Sequence, residues 1–397
     1  MGIQKLHIKG FRSLRDVEWE PGNLNIVIGP NCSGKSNLLR ALALVQESAS
    51  GGLPQAVLRQ GGIGPLLWDA SVTELSWRVR TDPVGSGHDK IRDALTYSVS
   101  LRQLGKTSAY RVDQELLGNY YRFEAGEKPQ PFKFLERDAW HAVTFDPEER
   151  ALAAHEGSVP DDQALLSMLS GPFGNPVVVA FRDSLVSWSI YHDLHVDQQA
   201  PIRQAAVARS ERRIAADGQN LIPVLHTLYT EDREFKKSLD GAMRAAFGND
   251  FEELVFPPAA DQRIQLRVRW RSLKTAQSAA DLPDGTIRFL LLLGILASPK
   301  PGDLIAVDEP EIGLHPSMFP IVAEFAAEAA QRAQVVLTTH SPQFLDAFGK
   351  NVPTTTVMQW VDGETRATVV DGQELQRWLQ EYSLGSLFRS GELEGMV

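Results

Sequence analysis

The stretch LNIVIGPNCSGKSNLLRA, residues 24–41, limits the fold more than any other part of the chain. LNIVI is a short apolar run rich in β-branched residues, and by length and composition it reads as a buried strand. Gly29 to Ser36 then fit G-x-x-x-x-G-K-[ST] at every fixed position, and SNLLRALALV continues as a helix. Glycines let the backbone curl until several N–H groups point at one spot, where the helix N-terminus adds its positive end. Strand, loop and helix in this order predict a phosphate-binding loop. Its expected nucleotide contacts are Asn31, Cys32, Ser33, Gly34, Lys35, Ser36 and Asn37. Lys35 is placed to reach the β- and γ-phosphates, and the Ser36 hydroxyl to ligate Mg²⁺. Cys32 fills a position the motif leaves free; it is either an activated thiol beside a helix end and a lysine, or a small filler.

A second apolar run, LIAV, ends abruptly in Asp308-Glu309, followed by Pro310 and Glu311. Acids at the end of a buried strand are costly unless a cation needs them. Mg²⁺ on a nucleotide is held by the loop hydroxyl and by an Asp at the end of a neighbouring strand, which Asp308 fits. Glu309 is placed to polarise the attacking water as general base. The competing reading is a polar turn that caps the next helix. A third run, QVVLTTHSPQFLD, follows a helical stretch and ends in Thr339-His340-Ser341, so it is expected on an adjacent parallel strand. From there His340 can reach the γ-phosphate.

Composition sets the outer bounds. With 397 residues, 43% of them hydrophobic, the chain can bury a large core in one or two domains. No apolar window of about 18 residues suggests a membrane span, and MGIQKLHIKGFRSL lacks the apolar region of a secretory signal. Leu6 stands where an acylation pattern wants Ser or Thr. A single cysteine suits a reducing cytoplasm, and a net charge of −10 argues against coating nucleic acid over the whole surface.

These motifs together resemble ABC-type ATPase heads of the SMC/RecF/OLD branch, in particular its short stand-alone members. GPNCSGKSN is similar to their Walker A, LIAVDEP to their Walker B, EIGLHP to their D-loop and TTHSP to their switch histidine. The opening strands through GPN resemble theirs as well. The likeness is good over about residues 1–60 and 280–350 and loose in the middle. It implies an α/β P-loop fold of the ABC-ATPase type: a mixed sheet, an N-terminal antiparallel β-lobe and an inserted, mainly helical lobe. The expected divisions are 1–145 with Walker A, 146–262 as the insertion, and 263–397 with signature, Walker B, D-loop and switch histidine. It also implies ATP and Mg²⁺, and a homodimer closed around ATP and open to higher assembly. DLPDGTIRFLLLLGIL sits where the family keeps its signature, so Asp284 and Gly285 are expected to meet ATP held by a partner copy. Pro283 replaces the family's serine and offers a phosphate neither hydroxyl nor N–H, unless the motif is shifted by one residue. The family's glutamine loop has two candidates, Gln60 and the FRDS stretch around Arg182. Arg12 is a candidate adenine contact.

Between the motifs there are no sustained a/d heptads, so coiled-coil arms are not expected. TELSWRVR, LTYSVSLRQL, SAYRVDQELL and NYYRFEA alternate as antiparallel strands. Residues 161–250 read as mainly helical. RQAAVARSERR carries Arg203, Arg209, Arg212 and Arg213, which meet phosphates or line a solvated helix face. RIQLRVRWR is expected to put Arg263, Arg267, Arg269 and Arg271 on one strand face and Trp270 on the other. His192, Asp193, His195 and Asp197 have a loose metal-ligand look, but without a third well-spaced His or Cys a structural role is expected. Trp378, Tyr382, Leu387 and Phe388 are spaced to pack a C-terminal helix.

The functional expectation is an ATPase switch that gates a nucleic-acid-related event in genome maintenance or anti-phage defence. Residues 341–397 are too few for the nuclease domain of OLD-type relatives, so a nuclease-like effector is expected in another chain. DNA or RNA contact stays open. The alternative is a nucleotide-dependent scaffold with negligible turnover that holds and releases an effector. A transporter engine fits less well, because such engines have a shorter Walker A-to-signature interval and a fuller glycine-rich signature.

Overall fold

The computed structural model describes residues 1–69, 71–83, 94–119, 132–139, 141–146, 151–154, 159–169, 175–370, 378 and 382–395. The chain forms two compact units. One comprises Met1–Gly22, Ile28–Trp188 and Thr355–Val369; the other comprises Asn23–Val27, Ser189–Thr354 and Val370–Val397.

The first unit is built on an antiparallel sheet. Its strands are β1 (Ile3–Phe11), β2 (Leu14–Trp19), β4 (Glu74–Thr81), β5 (Leu95–Gln103), β6 (Tyr110–Asn119), β7 (Phe132–Asp138), β8 (Ala142–Asp146) and β9 (Ala151–Ala154), in the order β2-β1-β4-β5-β6-β7-β8-β9. The period-two alternation expected of TELSWRVR and its successors is what places them. In β4, Leu75, Trp77 and Val79 are buried while Ser76 and Arg78 turn away. Of NYYRFEA, Asn119 ends β6 and the remainder lies outside the described residues. Helices α1 (Lys35–Ser50), α2 (Leu53–Arg59), α3 (Leu165–Met168) and α4 (Pro176–Val186) complete this part of the unit. The Tyr97 ring of β5 meets Phe181 of α4 edge-on at 5.8 Å.

The second unit centres on parallel strands. β3 (Leu24–Ile28), β10 (Ser189–Tyr191), β17 (Leu304–Val307) and β18 (Gln334–Thr338) run in the order β10-β17-β18-β3. Register pairs Ala306 with Val336 and Leu337 with Ile26, all in the same direction. Every residue of β17 and β18 is buried, the signature of a parallel strand covered on both faces. Two helices flank β17 in sequence: α7 (Asp284–Leu296), apolar nearly all round, and α8 (Phe319–Ala329). Further along, α9 (Pro342–Asp346) receives the C-terminal helix Leu384–Ser390, whose Gly385 N–H donates to Asp346 Oδ1 at 2.8 Å. Leu387 is buried there, and the Trp378 and Tyr382 rings lie 5.7 Å apart.

Two expectations need correction. Between α4 and α5 (Leu221–Glu231) the described chain is not helical; apart from β10 it holds a 3-10 turn at Pro201–Arg203 and β11 (Ala206–Val207). Helix resumes only with α5 and α6 (Arg233–Phe247). Nor is RIQLRVRWR one strand. β14 (Arg263–Ile264) joins β11 and β13 (Pro258–Ala259), whereas β15 (Arg267–Trp270) joins β12 (Phe251–Val255) and β16 (Gln277–Ser278). The chain changes sheets at Gln265-Leu266, where Leu266 is fully buried, so parity across the run does not hold.

Candidate functional site

The site residues fall into two groups, each held within its own unit. In the first unit, Gly29 and Gly34 have positive φ, at 148° and 104°. A Cβ on Gly29 would collide with the carbonyl oxygen of Met358, and one on Gly34 with Thr365 Oγ1 and Ser13 Oγ. Only glycine fits both positions. Thr365 Oγ1 donates to the Ser33 carbonyl at 2.9 Å and Asn37 Nδ2 to Ser13 Oγ at 2.8 Å, so β1–β2 and Thr365 brace the loop from outside the motif. Lys35 is buried and its Nζ donates to the carbonyls of Gly29 (2.7 Å) and Pro30 (2.9 Å). Ser33 Oγ is buried and unpartnered. Cys32 is exposed at φ 66°, so it fills no core space. Ser36 and Asn37 open α1 and are half-buried, while Asn31 is exposed. A glycine cradle, an unpaired hydroxyl, a lysine and a helix N-terminus suit a bound triphosphate.

In the second unit the carboxyl ends of the parallel strands converge on the acids. Asp308 follows β17, and its N–H donates to the Tyr191 carbonyl of β10 at 2.8 Å. Its Oδ1 accepts from Thr338 Oγ1 at the end of β18. The same Thr338 oxygen accepts the Glu309 N–H at 3.0 Å. Glu309 sits at φ 45°, a region costly for a residue with a Cβ, so its surroundings must hold it there. Arg288 of α7 supplies a second grip, donating from Nη2 to the Glu309 carbonyl at 3.1 Å. Burial lowers the Arg288 pKa against the pull of Glu311, Glu309 and Asp308. His340 Nδ1 lies 3.0 Å from Glu309 Oε1. The end of β3 is tied in too: Thr339 N–H donates to the Val27 carbonyl at 3.0 Å, immediately before the chain enters the glycine loop.

Glu311, the third acid of the run, is buried. It accepts from Thr339 Oγ1 through Oε1 and leaves Oε2 unpartnered. Burial pushes its carboxyl pKa up, opposed by the Thr339 hydrogen bond.

At the signature position Pro283 is the N-cap residue of α7, and its carbonyl accepts from Thr286 N at 2.9 Å. Gly285 lies against the Gly313 backbone, 2.6 Å from where a Cβ would meet that carbonyl. Asp284 is largely exposed, and its Oδ1 accepts from Arg203 Nη2. Arg203 is therefore neither a surface phosphate contact nor part of a solvated helix face. It is buried, and also donates to the carbonyls of Val196 (2.8 Å), Ala279 (3.1 Å) and Leu282 (2.5 Å). Arg209 and Arg212 pair with Glu211 and Glu231. Arg269 pairs with Glu253 at 2.6 Å and Arg267 bonds Gln265, so the expected basic stripe is divided.

Neither glutamine-loop candidate lies on a strand of the parallel sheet. Gln60 caps α2 and accepts from Arg12 Nη2 at 2.6 Å; Arg182 lies in α4 and pairs with Asp183 at 3.0 Å. The strand beside β17 is β10, and its carboxyl end runs into His192 and Asp193. His195 pairs with Asp193 at 3.1 Å, and among the described residues no group of three His, Cys, Asp or Glu side chains is arranged to hold a metal by itself. Thr338 and Arg288 were within reach of the sequence, since both lie inside the quoted motifs. Ser13 and Thr365 were not, because only the fold brings them to the loop.

Solved structures share this architecture. A crystal structure of the SmcHead bound to the C-winged helix domain of ScpA aligns over 95% of this chain and all of that one, with a TM-score of 0.56 at 14% identity. An Smc head domain with an extended coiled coil, bound to the C-terminal domain of ScpA derived from Pyrococcus furiosus, aligns over 96% and 99% with the same score at 13% identity. By sequence the chain is 25% identical over 356 residues to an OLD nuclease of Thermus scotoductus, covering 87% of this chain and 60% of that protein. It spans about three fifths of that relative's length. Fold and motifs together define a P-loop α/β head with the fold of the Smc heads. Residues 24–346 match the family described as AAA domain, putative AbiEii toxin, Type IV TA system, and the chain belongs to that family.

Proposed function

We propose that the protein binds and hydrolyses ATP with Mg²⁺, and that two copies close around the nucleotide to gate a nucleic-acid-related process through a separate effector chain. The observation that carries the hydrolytic part is the hold on Glu309. Thr338 binds its N–H, Arg288 its carbonyl and His340 its carboxylate, so a strained acid is fixed at the end of a sheet. A general base needs such positioning more than it needs an unusual pKa. In this reading Lys35 and the loop N–H groups neutralise phosphate charge, and Ser36 and Asp308 would hold Mg²⁺. That ion supplies charge stabilisation on the phosphate oxygens. Glu309 takes the proton of the attacking water, and His340 orients the carboxylate and responds to the γ-phosphate.

Self-association through Asp284 and Gly285, a role in genome maintenance or anti-phage defence, contact with DNA or RNA, and a nuclease-like partner in trans all belong to the same proposal. Resemblance to an OLD nuclease and to Smc heads seen bound to ScpA supports a head that works with a partner. A second reading, a nucleotide-dependent scaffold with negligible turnover, is favoured by the net charge of −10 and by Pro283, which offers an incoming phosphate no donor.

Steady-state ATP hydrolysis with and without duplex DNA, using Glu309→Gln as the blank, tests the reading. Turnover above the blank is expected, and DNA stimulation would assign the polymer. A rate indistinguishable from the blank would replace the ATPase reading with the scaffold.

A further inference from the structure

The face of the antiparallel sheet opposite Leu75, Trp77 and Val79 carries polar side chains in two cross-strand rows. Lys9, Ser76, Ser100 and Gln114 are register partners across β1, β4, β5 and β6, and His7, Arg78 and Ser98 form the next row. Serine has a small side chain, and three in the middle of a sheet face leave space that the strand-favouring Val, Thr or Tyr would fill. The result is a recess of about 230 Å³, many times the share of liquid volume of one water, about 30 Å³.

Its floor is chemically unsatisfied. Ser100 is 6% exposed, and its Oγ has no hydrogen-bond partner. The side chains of Ser76, Ser98 and Gln114 likewise make no hydrogen bond among the described residues. The charges around the rim are mostly balanced. His7 and Lys9 share Asp16, at 2.6 and 3.3 Å, and Glu74 is taken by Arg102 at 2.9 Å. Arg78 is exposed and has no acidic or hydrogen-bonding partner among the described residues. Among the described residues one uncompensated guanidinium therefore shares this sheet face with the partnerless hydroxyls of Ser76 and Ser98, cross-strand Cβ spacings being about 4.5–5.5 Å.

We propose that this recess binds a phosphoryl group carried by a small phosphorylated ligand, separate from the glycine loop. Arg78 supplies the charge and a planar pair of donors. The Ser76 and Ser98 hydroxyls and the Gln114 amide supply the remaining donors, and the small, buried Ser100 keeps the recess open. A cation has no unpaired carboxylate to meet among the lining residues.

The test is calorimetric titration of the full chain with inorganic phosphate and with ribose 5-phosphate, under saturating ADP–Mg²⁺ to fill the glycine loop. The wild-type protein is expected to show one saturable site. Arg78→Gln, at an exposed side chain without fold contacts, should weaken it roughly tenfold or more. Ser100→Val, which fills the recess with a good strand former, should abolish it while ADP affinity stays unchanged. Absence of saturable binding in the wild type, or equal binding by both variants, would overturn the proposal. So would binding confined to a 5′-phosphorylated oligonucleotide, which would make the recess a nucleic-acid contact.

Discussion

Glu309 and Glu311 stand two residues apart and are treated by the fold in opposite ways. Glu309 is partly exposed, strained at φ 45° and gripped at N–H, carbonyl and carboxylate. Glu309→Gln keeps that size and those backbone contacts but cannot take a proton. It should lower kcat about 10²–10⁴-fold and leave ATP affinity near the wild-type value, as read by single-turnover kinetics and equilibrium binding. Comparable losses of affinity and rate would place Glu309 in binding instead. Thr338→Val should misplace the same acid by orphaning its N–H, at a cost of about 1–3 kcal/mol. Glu311 is buried with one oxygen unpartnered, and its pKa is raised by desolvation. A carboxyl whose folded pKa exceeds its unfolded one contributes stability that is fully present below the unfolded value, about 4.3, and is lost as pH rises through the folded value. Glu311→Gln removes that dependence. Its melting temperature should gain on the wild type as pH is raised from 4 to 8; a constant difference across this range would mean Glu311 is not the titrating group.

At the scale of elements, α7 joins the two chemical ends of the second unit. Its N-terminus presents Asp284 and Gly285, and one turn later Arg288 holds the Glu309 carbonyl. Arg203 fixes the start of the helix by bonding Ala279, Leu282 and Asp284 together with Val196. Arg203→Met would leave three carbonyls and an acid without their donor. It should destabilise the fold by about 3–5 kcal/mol, seen as a lower urea midpoint. Asp284→Asn, at an exposed side chain, should cost under about 1 kcal/mol; equal losses would show that the pair, not the carbonyl network, fixes the helix. The same contrast explains what could be read in advance. β3, β17 and β18 announce themselves because buried parallel strands are continuous apolar runs ending in polar tips, and β4–β6 because their alternation has period two. The 187–220 segment has no such period. It is pinned by side chains bonding distant backbone, Arg203 to Val196, Gln219 to His195 and Arg288 to Leu194, and such bonds leave no local pattern. Arg203 therefore reads as a surface charge until the fold buries it. Ser13 and Thr365 likewise gain meaning only from the contacts that long-range folding makes.

At the scale of the whole molecule, the proposed self-association around ATP would depend on what the helix start at Pro283 of one copy can offer the other's nucleotide. Pro283 caps α7 without a side-chain hydrogen bond and brings no N–H, so donation falls to the backbone of the helix start beyond it. A serine there would add a hydroxyl acceptor for the helix N–H groups and a donor for phosphate. Pro283→Ser, made in the Glu309→Gln background to prevent turnover, should tighten ATP-dependent dimerisation roughly fivefold to tenfold, the equivalent of about 1–1.4 kcal/mol. Sedimentation equilibrium with ATP–Mg²⁺ and with ADP–Mg²⁺ reads it directly, since only the ATP state should respond. Tightening in both states would trace the gain to helix stability, and no change in either would mean that the signature is read through Asp284 and Gly285 alone. If the proposed dimer is held as loosely as Pro283 predicts, small inputs would open it. A partner bound to one head would then shift the dimer equilibrium by its own differential affinity, which is the behaviour a gate for a separate effector requires.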